Sequence, residues 1–134
     1  MFANNSYVDI TFLCKDIETI DIDELCYLNQ IDSVSCFGLL YLLKDPLSFL
    51  NMITKIKTLN MFVLETVNYN ELKDRVVKID NHSIKLNKID EIKNIFIKND
   101  WQLKYEKNIK LNELDQKINS KLIFGDRVVL VFER

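Results

Sequence analysis

Asp45-Pro46-Leu47-Ser48-Phe49-Leu50-Asn51-Met52-Ile53-Thr54-Lys55-Ile56 lies between two apolar runs, Val34–Leu43 and Met61–Leu64, and its reading determines the fold. Asp45 is a good helix cap, and Pro46 fits the first helical position, where a missing N–H costs nothing. From Pro46 to about Leu59 the polar Ser48, Asn51, Lys55 and Thr58 share one stripe, while Phe49, Leu50, Ile53 and Ile56 share the opposite one. Such a helix lies flat on a sheet. Strand, capped helix and strand in this order predict a βαβ crossover, right-handed, with its two strands parallel. The near-continuous apolar run Val34–Leu43 reads as a strand covered on both faces.

Working toward the N-terminus, Tyr7–Cys14 alternates Val8, Ile10, Phe12 and Cys14 against Asp9 and Thr11, the pattern of a half-buried strand. Asp21 with Glu24 three residues later resembles a capping box, and Leu25, Leu28 and Ile31 are expected to form the inner face of a short helix. Toward the C-terminus, Arg75–Ile79 and Ser83–Leu86 flank Asp80-Asn81-His82 as a hairpin. Asn87 is read as the cap of a helix with Ile89, Ile92, Ile95 and Phe96 inside. Trp101, Leu103 and Tyr105 alternate with Gln102, Lys104 and Glu106 as a strand, and Asn112 caps a short helix through Ile118. Lys121–Phe124, a Gly125-Asp126 turn and Arg127–Glu133 complete a hairpin.

One six-residue pattern recurs at Ile20–Leu25, Val67–Leu72, Ile84–Ile89 and Ile109–Leu114, each copy reading as a strand end, an Asp or Asn cap and a helix start. With Ile, Leu, Asn and Lys so frequent, convergence on one junction explains the pattern better than duplication. The expected fold is α+β: a single domain over residues 1–134, with a mixed sheet of roughly six to eight strands. Three to four helices lie mainly on one face, and the second half is compatible with a ferredoxin-like layer.

The composition fits a globular core, with 48% hydrophobic and 28% charged residues. Two glycines and one proline leave no glycine-rich phosphate cradle and no proline-rich ligand segment. Apolar runs are far shorter than the roughly 20 residues a spanning helix needs. The first residues carry no secretory pattern, so a cytoplasmic protein with no membrane contact is expected. Cys14, Cys26 and Cys36 are odd in number and lack Cys-x-x-Cys spacing, which suits reduced core thiols. Basic residues comprise fifteen Lys and three Arg, which argues against recognition by bidentate Arg clamps. Charge is uneven: Met1–Thr66 has four Lys against nine acids, a net of −5, and Val67–Arg134 has fourteen basic residues against eleven acids, a net of +3.

No catalytic residue, metal site or cofactor is expected. Asp21, Asp23 and Glu24 have the oxygen chemistry a hard divalent cation prefers, but acids in a first helical turn are already favoured by the helix dipole. His82 has the right pKa range for acid–base work, yet it sits in a polar turn with no orienting group in sequence.

The leading functional expectation is a non-catalytic interaction or assembly module, acting through an acidic surface of Asp16, Glu18, Asp21, Asp23 and Glu24. It would bind a Lys-rich protein partner or larger assembly, or a second copy of itself. The alternative is a nucleic-acid-binding accessory protein that stacks bases on Trp101 and Tyr105, with Lys98, Lys104 and Lys107 alongside. A third reading is a small enzyme with scattered active-site residues such as His82 or a cysteine.

Overall fold

Asp45 caps its helix through two contacts: Oδ1 accepts from the Ser48 N–H at 3.1 Å and Oδ2 from Ser48 Oγ at 2.7 Å. Helix α2 (Pro46–Lys55) buries Phe49, Leu50 and Ile53. It stops four residues short of the expected end. Ile56 turns to extended backbone, its N–H returning to the Ile53 carbonyl, which lets Ile56 and Leu59 drop into the core. Removing the cap with Asp45→Ala is expected to cost about 1 kcal/mol, measurable as a lower urea midpoint with an unchanged slope.

The computed structural model describes residues 10–68, 76–79, 82–110 and 126–134. Around α2 stand α1 (Ile22–Leu28), β1 (Ser33–Phe37), a 3₁₀ turn (Leu40–Leu42) and β2 (Met61–Val67). The chain continues with β3 (Val76–Ile79), β4 (His82–Lys85), α3 (Ile89–Lys98), β5 (Gln102–Ile109) and β6 (Arg127–Glu133). The βαβ reading holds: β1 and β2 pair in parallel, with Ser33 opposite Met61 and Phe37 opposite Glu65. The mixed sheet has the order β1-β2-β6-β5. β6 runs antiparallel to both neighbours, so β5 points the same way as β1 and β2. β3 and β4 form a separate hairpin.

The three helices among the described residues pack on one face of this sheet, where Ile22, Cys26, Phe49, Leu50, Ile53, Ile89, Ile92 and Phe96 join Phe62, Leu64, Val128, Leu130 and Phe132 in one apolar cluster. Phe96 is its centre. The ring stacks on Phe132 at 3.9 Å and on Phe62 at 5.3 Å, and meets Trp101 edge-on at 5.6 Å. Arg134 closes the C-terminal end of α2: Nη1 donates to the Ile56 carbonyl at 3.0 Å and Nη2 to the Thr54 carbonyl. Its guanidinium lies 4.7 Å over the Trp101 ring, and Trp101 Nε1 donates to the same Thr54 carbonyl at 3.0 Å.

Several local expectations are corrected. Residues 10–14 of the expected first strand form none, since no neighbouring strand pairs with them, and Phe12 is 89% exposed. The Val34–Leu43 run is not one covered strand. It breaks at Gly38, whose φ of +64° turns the chain into the 3₁₀ turn, and Ser33, Ser35 and Phe37 are left exposed. In α1 the inner face is Ile22 and Cys26, while Leu28, the last residue of the seven-residue helix, is 68% exposed. Lys88 rather than Asn87 occupies the cap position of α3; Asn87 is buried, and the Glu91 carboxylate accepts from the Lys88 N–H at 3.2 Å.

His82 opens β4 opposite Ile79 instead of sitting in a turn. Among the described residues the second half forms no ferredoxin-like layer, because β5 and β6 join the parallel pair instead. Of the four junction motifs, Ile84–Ile89 does carry a strand into a helix, whereas Ile20–Leu25 follows a turn. The Asn112 helix, the Lys121–Phe124 strand, Gly125 and the remainder of the other two motifs lie outside the described residues. Among the described residues no helix is long and apolar enough to cross a membrane.

Candidate functional site

In open sheets built from parallel strands, small molecules bind beyond the carboxyl ends of the strands. Here those ends are Phe37-Gly38 after β1, Val67-Asn68 after β2 and Ile109 at the end of β5. The left-handed Gly38 directs its N–H at the Glu65 carboxylate, which accepts it at 2.9 Å through Oε2. Glu65 Oε1 faces Arg127 Nη1 at 3.5 Å, and the Arg127 guanidinium lies 5.2 Å over the Tyr41 ring. Asn68 extends the polar band toward β5, its Nδ2 donating to Asn108 Oδ1 at 3.0 Å and its N–H to the Asp126 carbonyl at 2.7 Å. Glu65 and Arg127 are about three-quarters buried, so the pair is shielded from water yet open on one side.

Sequence reasoning missed this pair because its members are far apart in the chain and form no local motif. Two signals were there: Glu65 interrupts an apolar strand, and Arg127 is one of only three arginines.

Cys36, which precedes this turn, is buried and held as the thiol. Burial, then the nearby Glu65 charge, push its thiol up to about 11, against a smaller opposing pull from a hydrogen bond to the Leu40 backbone. An unfolded thiol loses its proton near 9.0, whereas the folded one holds it to about 11. The unfolded state is therefore favoured as pH rises through that window. Stability is expected to fall there by on the order of 1 kcal/mol per pH unit from this group. Comparing alkaline urea melts of the wild type with Cys36→Val isolates the effect; identical slopes would refute it. Burial and Asp23 likewise raise the Cys26 thiol.

The five acids singled out from sequence all lie exposed between residues 16 and 24. Asp16 Oδ1 accepts from the Glu18 N–H at 2.9 Å, Glu18 Oε1 accepts from the Lys44 N–H at 2.8 Å, and Asp21 Oδ1 accepts from the Glu24 N–H at 2.9 Å. Three of the five acids thus serve turns and caps, while Asp23 and Glu24 stand exposed on the first turn of α1. Among the described residues no three His, Cys, Asp or Glu converge on a point.

The aromatic platform does not form. A bulge between Leu103 and Tyr105 breaks the alternation. Trp101 is 2% exposed beneath Arg134, and Tyr105 is 50% exposed on β5. Lys104 Nζ donates to Gln102 Oε1 at 2.7 Å, and Lys98 ends α3. With Trp101 sealed, Tyr105 is the one member of that pair left exposed.

Two hollows lie beside the sheet, one near the carboxyl end of β2 and the other near the amino end of β1. One, lined by Leu40, Tyr41, Thr66, Val67, Leu86, Asn87 and Ile92, is too narrow for a water molecule. The other, about 250 Å³ between α1, α2 and β1, is lined by aliphatic side chains such as Leu13, Ile20, Leu25 and Ile53, with Lys15 as its one charged group.

No protein-family model and no curated protein matches the chain. The fold is nevertheless shared with a solved domain. The crystal structure of the N-terminal domain of EvdMO1 in the presence of SAH and D-fucose aligns with 90% of this chain and 52% of its own, at 16% identity and a TM-score of 0.50. A second crystal structure of that domain, with SAH bound, aligns at 16% identity and a TM-score of 0.48, covering 90% and 51% of the two chains. The chain thus spans about half the length of the solved chains it matches. This likeness counts against the expectation of a non-catalytic interaction module, since the solved domain that shares the fold was crystallised in the presence of SAH.

Proposed function

We propose that this chain is part of an enzyme domain of the SAH-binding kind, in which it supplies one wall of a small-molecule crevice at the carboxyl ends of β1 and β2. The observation that carries the reading is the strand order β1-β2-β6-β5, with an antiparallel β6 set between strands of one direction. Its ends carry the shielded Glu65–Arg127 pair at the position where parallel sheets hold ligands.

The described residues do not by themselves fit SAH. A nucleoside thioether with an amino-acid tail needs a free carboxylate for its ribose hydroxyls and unspent backbone N–H groups for its polar tail. Here Glu65 already accepts from Gly38 and faces Arg127, and the Gly38 N–H is used in that contact. The aliphatic hollow offers Lys15 but no carboxylate. No reaction step is therefore assigned to SAH on these residues. Their own work is to hold the crevice wall: Glu65 fixes the Gly38 turn, and Arg127 keeps a guanidinium edge at the strand ends, suited to an anionic or hydroxyl-bearing acceptor.

The test is equilibrium dialysis of radiolabelled SAH against the tagged chain purified with its associated proteins from the native host. Saturable binding at one SAH per chain is the expected result. A native-source preparation that binds no SAH would overturn the reading.

A further inference from the structure

We propose that the aliphatic hollow near the amino end of β1 binds the chain of a medium-length alkyl carboxylate, with Lys15 receiving the carboxylate. The site stands apart from the crevice at the carboxyl ends of β1 and β2, so the proposal does not rest on the enzyme reading.

The hollow is walled by elements that the fold holds in place. Cys26 of α1 and Phe49 and Ile53 of α2 supply buried walls, each less than a tenth exposed. Leu13, Ile17 and Ile20 come from the segment before α1, and Leu13, at 56% exposure, marks the open side. That segment is fastened at both ends of a turn. The Thr19 and Ile20 N–H groups donate to the Asp16 carbonyl, and Glu18 Oε1 accepts from the Lys44 N–H at 2.8 Å and the Asp45 N–H at 3.4 Å, just ahead of α2. Tied to the start of α2 in this way, the segment keeps the hollow from closing.

The lining decides the body of the occupant. Water is a poor one, because an ordered water needs about two to four polar partners, and apart from Lys15 every lining side chain is a hydrocarbon or a thiol. The volume is about 250 Å³, room for about eight water-sized groups at roughly 30 Å³ each. An alkyl chain of about eight carbons fills the same space and gains with every methylene it takes out of water.

Charge decides the head. Lys15 is exposed, and among the described residues it holds no ion pair. Acids follow it in sequence, yet none lines the hollow. Asp16, Glu18 and Asp21 point their carboxylates at backbone N–H groups, and Asp23 lines a separate hollow with Ser48, Asn51 and Lys55 of α2. An amphiphile entering from the open side therefore meets one cation and no anion, which favours a carboxylate over an ammonium head.

The test is a titration of the whole chain, labelled at Ile and Leu methyl groups, with sodium octanoate, octan-1-ol and octylammonium chloride, followed by NMR. Octanoate should give saturable shifts at Ile20, Leu25 and Ile53 with a dissociation constant on the order of 1 mM. Leu42 and Ile97, exposed elsewhere, should not move. Octanol should bind about three-fold more weakly, the size of an exposed ion pair, and octylammonium more weakly still. Lys15→Gln should erase the preference for octanoate over octanol. Leu25→Trp, at a half-buried lining position, should fill the hollow and abolish binding of both, with circular dichroism confirming the fold; Ile20→Trp serves if that variant does not fold. No saturable shift by about 10 mM, equal shifts at Leu42 and Ile97, octylammonium binding as well as octanoate, or a preference that survives Lys15→Gln would overturn the proposal.

Discussion

Phe96→Ala is expected to lower stability by about 3–5 kcal/mol, a large share of the total stability of a domain of this size. The ring is fully buried and holds three others in place, Phe132, Phe62 and Trp101. These neighbours belong to β6, β2 and the segment entering β5, so the cavity opens where three strands and α3 meet. Truncation removes the transfer energy of the ring, and the surrounding backbone is tied into the sheet and cannot collapse to fill the void. Urea melts followed by far-UV circular dichroism measure the loss. Ile97→Ala on the same helix is the control, since Ile97 is exposed and should shift stability by less than about 0.5 kcal/mol. A Phe96→Ala loss as small as that of Ile97→Ala would contradict the central role of the stack.

The next largest effect is expected from Arg134→Ala, about 2–3 kcal/mol, the range for charged hydrogen bonds whose acceptors are left partly buried. The guanidinium bonds the carbonyls of Thr54, Ile56 and Lys57 at the end of α2, where the helix macrodipole also favours a cation, and covers one face of Trp101. Trp101 keeps its own bond to Thr54, so the fold should persist with a looser lid. Trp101 fluorescence reports this directly: emission shifts to the red as water reaches the ring. Arg134→Lys keeps the charge but not the fork, and should recover only part of the loss. A substitution to Ala with neither lower stability nor altered emission would show that the clamp contributes nothing.

The α2 crossover was legible because everything that specifies it is local: an Asp-Pro start, an apolar face at helical spacing and a flanking run on each side. Burial of Ile89, Ile92 and Phe96 followed from the same periodicity. What could not be read was what distant segments do to one another. Alternation around Phe12 predicts a strand, but a strand exists only when another lies beside it. Trp101 and Tyr105 lie two positions to either side of Leu103, and the bulge between Leu103 and Tyr105 breaks the alternation that would put them on one face. The Glu65–Arg127 pair exists only because β6 inserts next to β2, a choice of neighbour that no local pattern encodes. Of the exposed acids from Asp16 to Glu24, three accept bonds from backbone N–H groups, and the long-range one from Lys44 to Glu18 could not be read from sequence.

The insertion of β6 also sets a timetable for synthesis. During translation β2 and β5 emerge from the ribosome well before the strand that must lie between them, and they have no direct bond to each other. Until residues 127–133 arrive, both strands present open edges and the Phe62 and Phe96 rings lack the Phe132 partner. Closure of the sheet is therefore a late, long-range event, which is slow and prone to aggregation for chains of this topology. Nascent chains stalled before β6 are the species on which cellular chaperones would be expected to act.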